Sequence, residues 1–309
     1  MGYTYFNEKF KLQYLEENKH RNMHIGDNIA LLFDRIAPIE ENLGKDLYDF
    51  SVAEILGYYK YYNTSSLESL MVINGQYKLY TAYALKSGLV KDNQNHYAEI
   101  TLEALMSCVH KGLAEAKVIS RADLLDLLRS SDVQNVSDKV VCLAVFEGIG
   151  GKNMTELTHL EPGDIDKKTR TVHLYGGRKL KISEELMNWM LESAEEYDYY
   201  NEFTKGTNNN THYLETDTRV IKRLSNSTSD SDIQRHKTLN RRLDRLISAT
   251  QCNALGIGAL KESGRLEMIQ NLMKKKGKTL DEALKDEDML YRYGRIASLK
   301  RYRLKYGLD

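Results

Sequence analysis

Cationic side chains at regular spacing are the residues of this sequence best placed to do chemistry. In "SDSDIQRHKTLNRRLDRLISAT", Lys237, Arg241 and Arg245 recur every four positions, with Arg235, His236 and Arg242 beside them. On a helix that interval sets side chains on one face. Lysine suits phosphate oxygens and arginine suits guanine edges, so the stripe is either a solvated helix face, the commoner case, or a contact for duplex DNA. Further cations stand at Lys78 and Lys86 among Tyr77, Tyr80 and Tyr83, at Arg178, Lys179 and Lys181 after a Gly-Gly pair, and at Lys261 and Arg265. Lys78 and Lys86 are either phosphate contacts or ordinary surface charge, and the cations after Gly-Gly are either backbone clamps or protection for an edge strand. Lys261 and Arg265 begin a helix, where a phosphate would also meet unpaired amides. Asn74 and Gln76 carry the donor and acceptor that read adenine, as any surface amide does.

The elements that must position these groups are mostly helices. There are two prolines, Pro38 and Pro162, and apolar residues recur every three or four positions over long stretches. Helices are expected around Phe10 to Leu15, around Ile29 to Ile36, from Ser51 to Tyr61, and in "SSLESLMVINGQYKLYTAYALKSG", capped by Ser65 or Ser66 and ended by Gly88. Ser120 caps another in "SRADLLDLLRS", and "DKVVCLAVFEGIG" reads as a buried helix. One β element is expected: Thr171, His173 and Tyr175 alternate with Val172 and Leu174 before Gly176-Gly177, with "RKLKI" as the return strand. The polar run "TKGTNNNTHYLETDT" reads as a loop, and Ile233, Leu239, Leu243 and Leu246 as the inward face of the basic helix. The expected fold is mainly α with a small β-hairpin, in two domains spanning residues 1–115 and 116–309.

Bulk properties narrow the function classes. The 309 residues are 41% hydrophobic and 28% charged, which fits a soluble globular protein rather than a disordered or membrane-spanning one. Lys+Arg and Asp+Glu stand at 44 each, so a polyanionic partner is argued from distribution. Acids gather in "SEELMNWMLESAEEYDYYNEF" and bases in "RVIKRL", "RHKTLNRRLDR" and "YGRIASLKRYRLKYG", the asymmetry of a protein with one positive face. Cys108, Cys142 and Cys252 form no CxxC pair, and His20 and His24 lack a third ligand, so no disulfide scaffold and no metal site are expected. No nucleotide cofactor is expected either. "MGYTYFNEKFKLQYLEE" has no long apolar core, and Phe6 stands where an acylation signal has Ser or Thr, so a cytoplasmic protein is expected.

A helical lobe containing "LGKDLYDFSVAEI", followed by "EGIGGKNMTELTHLEPGDID" and a hairpin, resembles the phage integrases of the tyrosine recombinase family over nearly the whole chain. Glu156, Leu157, Leu160, Asp164, Ile165 and Asp166 carry the likeness most specifically. The resemblance implies a SAM-like core-binding domain and an integrase catalytic-fold domain that close around duplex DNA. It also implies where catalytic groups belong. The first arginine of the family follows a Gly-Ile pair, here Gly148-Ile149, and its place is taken by Gly150; counting back from Glu156-Leu157 lands on Asn153, with Lys152 between. In "GIGALKESGRLEMI" Gly258 replaces the box histidine and Lys261 the box arginine. Arg295 follows Gly294 where the family has histidine or tryptophan, Tyr302 and Tyr306 are the candidate nucleophiles, and Arg178 and Lys179 stand for the hairpin lysine.

A phenolate attacking a phosphodiester loads charge onto the nonbridging oxygens, and removing one preorganised donor in comparable sites costs about 3 kcal/mol. Several such losses imply no useful cleavage. The pattern further resembles the integrase-like repressors of SPβ-type Bacillus prophages. That implies a sequence-specific double-stranded DNA-binding transcriptional repressor that maintains lysogeny, associated with the bacterial nucleoid and without recombinase activity. Its expected DNA contacts are Lys78, Lys86, Lys152, Asn153, Arg178, Lys179, Arg235, Lys237, Arg241, Arg242, Arg245, Lys261 and Arg265. The basic end "LKRYRLKYGLD" is either a plain basic tail or, as the resemblance to integrases implies, a segment that docks on a second copy, and a phage regulatory protein is a further expected partner. Two alternatives stay open. One is a working recombinase with Lys152, Lys179 and Lys261 as cations and Tyr302 or Tyr306 as nucleophile. The other is an integrase-fold scaffold that binds another protein.

Overall fold

A computed structural model describes residues 5–21, 23–201, 211–227, 230–296 and 298–307. The chain is mainly helical with two small antiparallel sheets, and it divides into two compact units. The first holds the residues up to Ala114 and the segment from Lys300; the second is Glu115–Leu299.

The first unit is built from α1 (Glu8–Arg21), α2 (Met23–Leu43), α3 (Val52–Tyr61), α4 (Leu67–Lys86), α5 (Leu102–Ser107) and α6 (Lys111–Glu115). Ser51 and Glu54 form a reciprocal capping box that starts α3, and the Ser66 hydroxyl accepts the Ser69 amide to start α4. Gly88, at φ +69°, supplies the left-handed turn after α4. The core is aromatic, with Phe33, Tyr59, Tyr77, Tyr80 and Tyr97 fully buried. Burial of tyrosine requires a partner for each hydroxyl. Tyr77 donates to the Leu32 carbonyl at 2.9 Å, Tyr80 to Asp46 at 3.1 Å and Tyr97 to the Leu47 carbonyl at 3.1 Å. In the same core the fully buried Lys11 ammonium donates to Glu40 at 2.5 Å, Asp46 at 3.3 Å and the Phe6 carbonyl at 2.9 Å. One cation thus serves two carboxylates. Burial, and the neighbouring Asp46, push the Glu40 carboxyl up to about 7 despite the attraction of Lys11.

The second unit contains α7 (Arg121–Arg129), α8 (Val136–Phe146), α9 (Thr155–Thr158), β1 (Ile165–Asp166), β2 (Thr171–His173), β3 (Lys179–Lys181), α10 (Glu184–Glu195), β4 (Asp198–Tyr200), β5 (Thr211–Tyr213), α11 (Asp232–Thr250), α12 (Ile257–Lys276), α13 (Leu280–Leu284) and α14 (Glu287–Tyr293). The expected cap of α7 is present, with the Ser120 hydroxyl accepting the Asp123 amide. The apolar run is the buried α8, and α10 and α12 pack on it. Gly264 makes the second contact possible: a Cβ there would lie 1.8 Å from the Phe146 carbonyl oxygen. Strands β1, β2 and β3 form one antiparallel sheet in that order, with Val172 opposite both Ile165 and Leu180. Val172 and Leu174 are buried while His173 and Tyr175 are exposed, and Gly176 and Gly177 turn the hairpin at φ +88° and +91°.

Four sequence expectations need correction. The hairpin has a third strand, β1, too short to carry an alternation signal. Part of the expected polar loop, Thr211–Tyr213, pairs with Asp198–Tyr200 because that places Tyr199 in the core; residues 202–210 of the same run lie outside the described residues. Ile233 is 60% exposed, since it sits in the first turn of α11, ahead of the packed face of Leu239, Leu243 and Leu246. The structural division falls between Ala114 and Glu115 but returns α15 (Leu299–Tyr306), from Lys300 onward, to the first unit, where Lys300 pairs with Glu103 at 2.7 Å. Among the described residues no helix is long and apolar enough to cross a membrane.

Candidate nucleic-acid interface

The loop between α8 and α9 decides the chemistry available to the second unit. Gly148 and Gly151 take φ +91° and +71°, and Asn153 and Met154 follow in the left-handed region at +55° and +61°. Methionine rarely adopts that conformation, so the loop is held there by its surroundings. The holder is Glu156, 6% exposed, which accepts the Gly150 amide at 2.8 Å. Both of its oxygens also accept from Arg178, from Nε at 2.6 Å and from Nη2 at 2.6 Å. The remaining guanidinium donors reach the carbonyls of Gly148 at 2.9 Å, Tyr291 at 2.5 Å and Arg292 at 3.3 Å. All five N–H groups of Arg178 therefore end on protein acceptors. Arg178 is a strut for the loop, its donors held by protein acceptors.

Gly150, Glu156, Arg178 and Lys261 line one pocket of about 340 Å³. The structure thus brings together three of the positions expected at a cleavage site. The pocket's other cation, Arg292, donates to the carbonyls of Glu147 at 3.1 Å and Lys181 at 2.7 Å. Partial burial, reinforced by the guanidinium groups of Arg265 and Arg178, holds the Lys261 ammonium below the ordinary lysine range. Its tyrosines are Tyr291 and Tyr293. Tyr293 is buried and donates to the Phe146 carbonyl at 2.6 Å; the Tyr291 hydroxyl accepts the Lys179 amide at 3.0 Å, and its ring centre lies 5.7 Å from the Arg178 guanidinium. Tyr291 carried no signal in the sequence, where it stands among 21 tyrosines outside any motif. Tyr302 and Tyr306 lie on α15, their rings 4.8 Å apart, with Tyr302 buried.

Neither Gly150 nor Gly258, the glycines expected at catalytic positions from the resemblance, is required by the packing around it. A Cβ at Gly258 would meet nothing within 4 Å, and one at Gly150 would meet the Met154 sulfur at 3.7 Å. Arg295 is exposed. Arg265 is a second strut: it donates to Glu262 at 2.9 Å and to the Tyr293 carbonyl at 2.7 Å.

On α11 the basic stripe divides. Lys237 and Arg241 are exposed, Arg245 is half-buried, and Arg235 and Arg242 are buried. Arg235 pairs with Asp230. Arg242 lies with its guanidinium 4.3 Å from the Tyr199 ring centre and donates to the Lys222 carbonyl at 3.2 Å. Both are buried, because the helix packs its Arg235–Arg242 edge inward together with Leu239, Leu243 and Leu246. Lys152 and Lys179 are exposed, and Asn153 is half-buried.

In the first unit Lys78 and Lys86 are exposed on α4. Among the described residues no hydrogen bond or ion pair engages the side chains of Lys78, Lys86, Lys152, Lys179, Lys237 or Arg241. Tyr83 donates to Glu17 at 2.7 Å, so it and the buried Tyr77 and Tyr80 are packing residues. Asn74 accepts from Tyr59 at 2.9 Å and donates to the Tyr97 carbonyl at 3.1 Å, which uses the groups that would read adenine. The side chain of His24 lies outside the described residues.

Two domain descriptions of one family match the chain: "MrpR, N-terminal core-binding domain" over residues 5–86 and "MrpR, C-terminal catalytic domain" over residues 118–302. The chain belongs to the MrpR family. Within this MrpR chain the core-binding match includes Lys78 and Lys86, and the catalytic-domain match includes the whole Glu156–Arg178 pocket and α11. It is 25% identical, over 282 residues, to the SPbeta prophage-derived uncharacterized protein YopR of Bacillus subtilis (strain 168), covering 88% of this chain and 84% of that one. Among solved structures it is similar to a lambda integrase dimer bound to a COC' core site, with TM-score 0.48 at 13% identity over 96% of this chain and 76% of that one. It is also similar to the Tn1549 transposon integrase in complex with circular intermediate DNA, with TM-score 0.44 at 14% identity over 95% and 97% of the two chains.

Proposed function

We propose that this chain is a sequence-specific double-stranded DNA-binding repressor of a prophage, one that holds a duplex without cutting it. One observation carries the reading. In the pocket where cleavage chemistry would take place, Arg178 gives every donor to protein acceptors, and Arg292 is bound to two carbonyls. What remains is Lys261, a point charge without the planar fork that grips two phosphate oxygens. A pentavalent phosphate there would find few preorganised donors. The exposed Lys78, Lys86, Lys152, Lys179, Lys237 and Arg241 supply phosphate contacts that need no such geometry. The prophage origin of the related YopR supports a phage regulatory role, on the host nucleoid, with a second copy or another phage protein as partner.

The test has two arms on the same protein. Fragments recovered from phage and host DNA are titrated at several salt concentrations, and then presented as nicked suicide substrates. The expected result is saturable binding to a few fragments, affinity that falls steeply with salt, and no covalent protein–DNA product. A tyrosine ester with DNA establishes a recombinase instead; failure to bind any fragment removes the repressor.

A further inference from the structure

A second cavity in the same unit, of about 210 Å³, lies between α11 and the segment from Ile221 to Ser227. Six of its lining side chains are cationic, Lys222, Arg223, Arg235, Arg241, Arg242 and Arg245, and among the described residues none is acidic. Three of the six are engaged elsewhere. Arg223 grips Glu215 through Nε at 2.7 Å and Nη2 at 2.6 Å, Arg235 pairs with Asp230, and the Lys222 ammonium donates to the Glu196 carbonyl at 2.9 Å.

The other three guanidinium groups have capacity to spare. Among the described residues no hydrogen bond or ion pair engages Arg241 or Arg245. Arg242, 3% exposed, bonds the Lys222 carbonyl through Nη2 and leaves Nη1 without a partner. The Thr158 hydroxyl, on a residue 2% exposed in the same wall, is also without a partner. Asp138 acts on both Arg242 and Arg245 through space, and with Asp132 it lines a neighbouring pocket that these two arginines also border; it is buried against Tyr199 and Asn135 and does not line this cavity. Buried donors left unsatisfied beside several cations are unusual, because each is costly unless something accepts from it. A phosphate does so for several guanidinium groups and a hydroxyl at once. The apolar remainder of the wall, Ile221, Leu224 and Leu239, suits an organic body rather than a bare ion.

We propose that this cavity binds a small organic phosphate, through the guanidinium groups of Arg241, Arg242 and Arg245 and the hydroxyl of Thr158. It is separate from the Glu156–Arg178 pocket, with which it shares no lining residue, and it does not require that the chain bind DNA. Because Arg241 also faces solvent on α11, an occupied cavity would alter the charge that helix presents.

Full-length, DNA-free protein is titrated calorimetrically with inorganic phosphate and with adenosine 5′-monophosphate, at ionic strength matched with chloride. The expected result is that both bind, the nucleotide more tightly. Arg245→Gln at a half-buried position and Thr158→Val in the wall each weaken binding by about tenfold, the scale of one charge-assisted contact. Lys237→Gln, on the same helix but outside the cavity, leaves binding within about twofold. Arg245→Gln keeps the test decisive if the buried Thr158 variant misfolds. Absence of binding by either probe at millimolar concentration overturns the proposal, as does an equal loss in Lys237→Gln. If neither probe binds while Arg245→Gln weakens duplex binding tenfold, the cavity serves backbone phosphate and the small-ligand site is rejected.

Discussion

Nε and Nη2 of Arg178 donate to the two oxygens of Glu156 at 2.6 Å each, so the hairpin turn just ahead of β3 and the first turn of α9 are joined by a parallel pair of charged hydrogen bonds. The loop cannot take its left-handed course through Asn153 and Met154 unless its amides and carbonyls are held, and this pair holds them.

Breaking that pair therefore costs stability. Arg178→Ala leaves a buried carboxylate without its cation and is expected to cost about 3 kcal/mol. Arg178→Lys recovers little of this, because an ammonium cannot bond both oxygens and three carbonyls together. Denaturant melts check both; a Lys variant as stable as wild type removes the strut role.

Two glycines on α12 respond oppositely to alanine. Gly264→Ala drives a methyl into the Phe146 carbonyl and is expected to destabilise by about 3 kcal/mol or to prevent folding. Gly258→Ala meets open space and gains roughly 0.5–1 kcal/mol from reduced backbone freedom in the unfolded chain. Thermal melts of the two single variants should move in opposite directions.

The Glu40 carboxyl makes stability depend on pH. It holds its proton to about 7 in the folded protein and to its ordinary 4.5 when unfolded, so between those values the folded state binds more protons. Stability from this group is full below about 4.5, declines as pH rises to about 7 and is level above. Glu40→Gln removes that share of the slope. Parallel melts of both proteins from pH 5 to 8 give the comparison, and identical slopes would show that Glu40 does not titrate there.

Exposed and buried members of the basic stripe separate by phenotype. Lys237→Ala and Arg241→Ala should leave folding intact, weaken duplex binding, and each lower the salt dependence by about one phosphate contact. Arg235→Ala and Arg242→Ala should lower the melting temperature instead, since their guanidinium groups are bound to Asp230 and stacked on Tyr199. Electrophoretic shift assays at three salt concentrations beside thermal melts would resolve the two classes; a binding loss without destabilisation in Arg242→Ala would return it to the contact surface.

What the sequence makes legible follows from how local each signal is. Caps such as Ser51, Ser66 and Ser120 act within one turn, and the Val172–Leu174 alternation within one strand, so both can be read directly. The partner of a cation cannot. Lys237 and Arg242 are equally basic in the sequence, and only the packed position of Leu239 and Leu243 decides which faces water. Arg178 finds Glu156 across 22 positions, and Lys11 finds Glu40 across 29, at distances no helical or strand period encodes. The glycines at 150 and 258 are visible in the sequence, whereas the engagement of every Arg178 donor by protein acceptors is not.

The return of α15 to the first unit has a consequence for biosynthesis. The ribosome must make all of Glu115–Leu299 before it makes the helix carrying Lys300, so nascent residues up to Ala114 emerge without that element. The earliest-translated lobe is then the last to be finished, and a chain interrupted inside the later lobe leaves both incomplete.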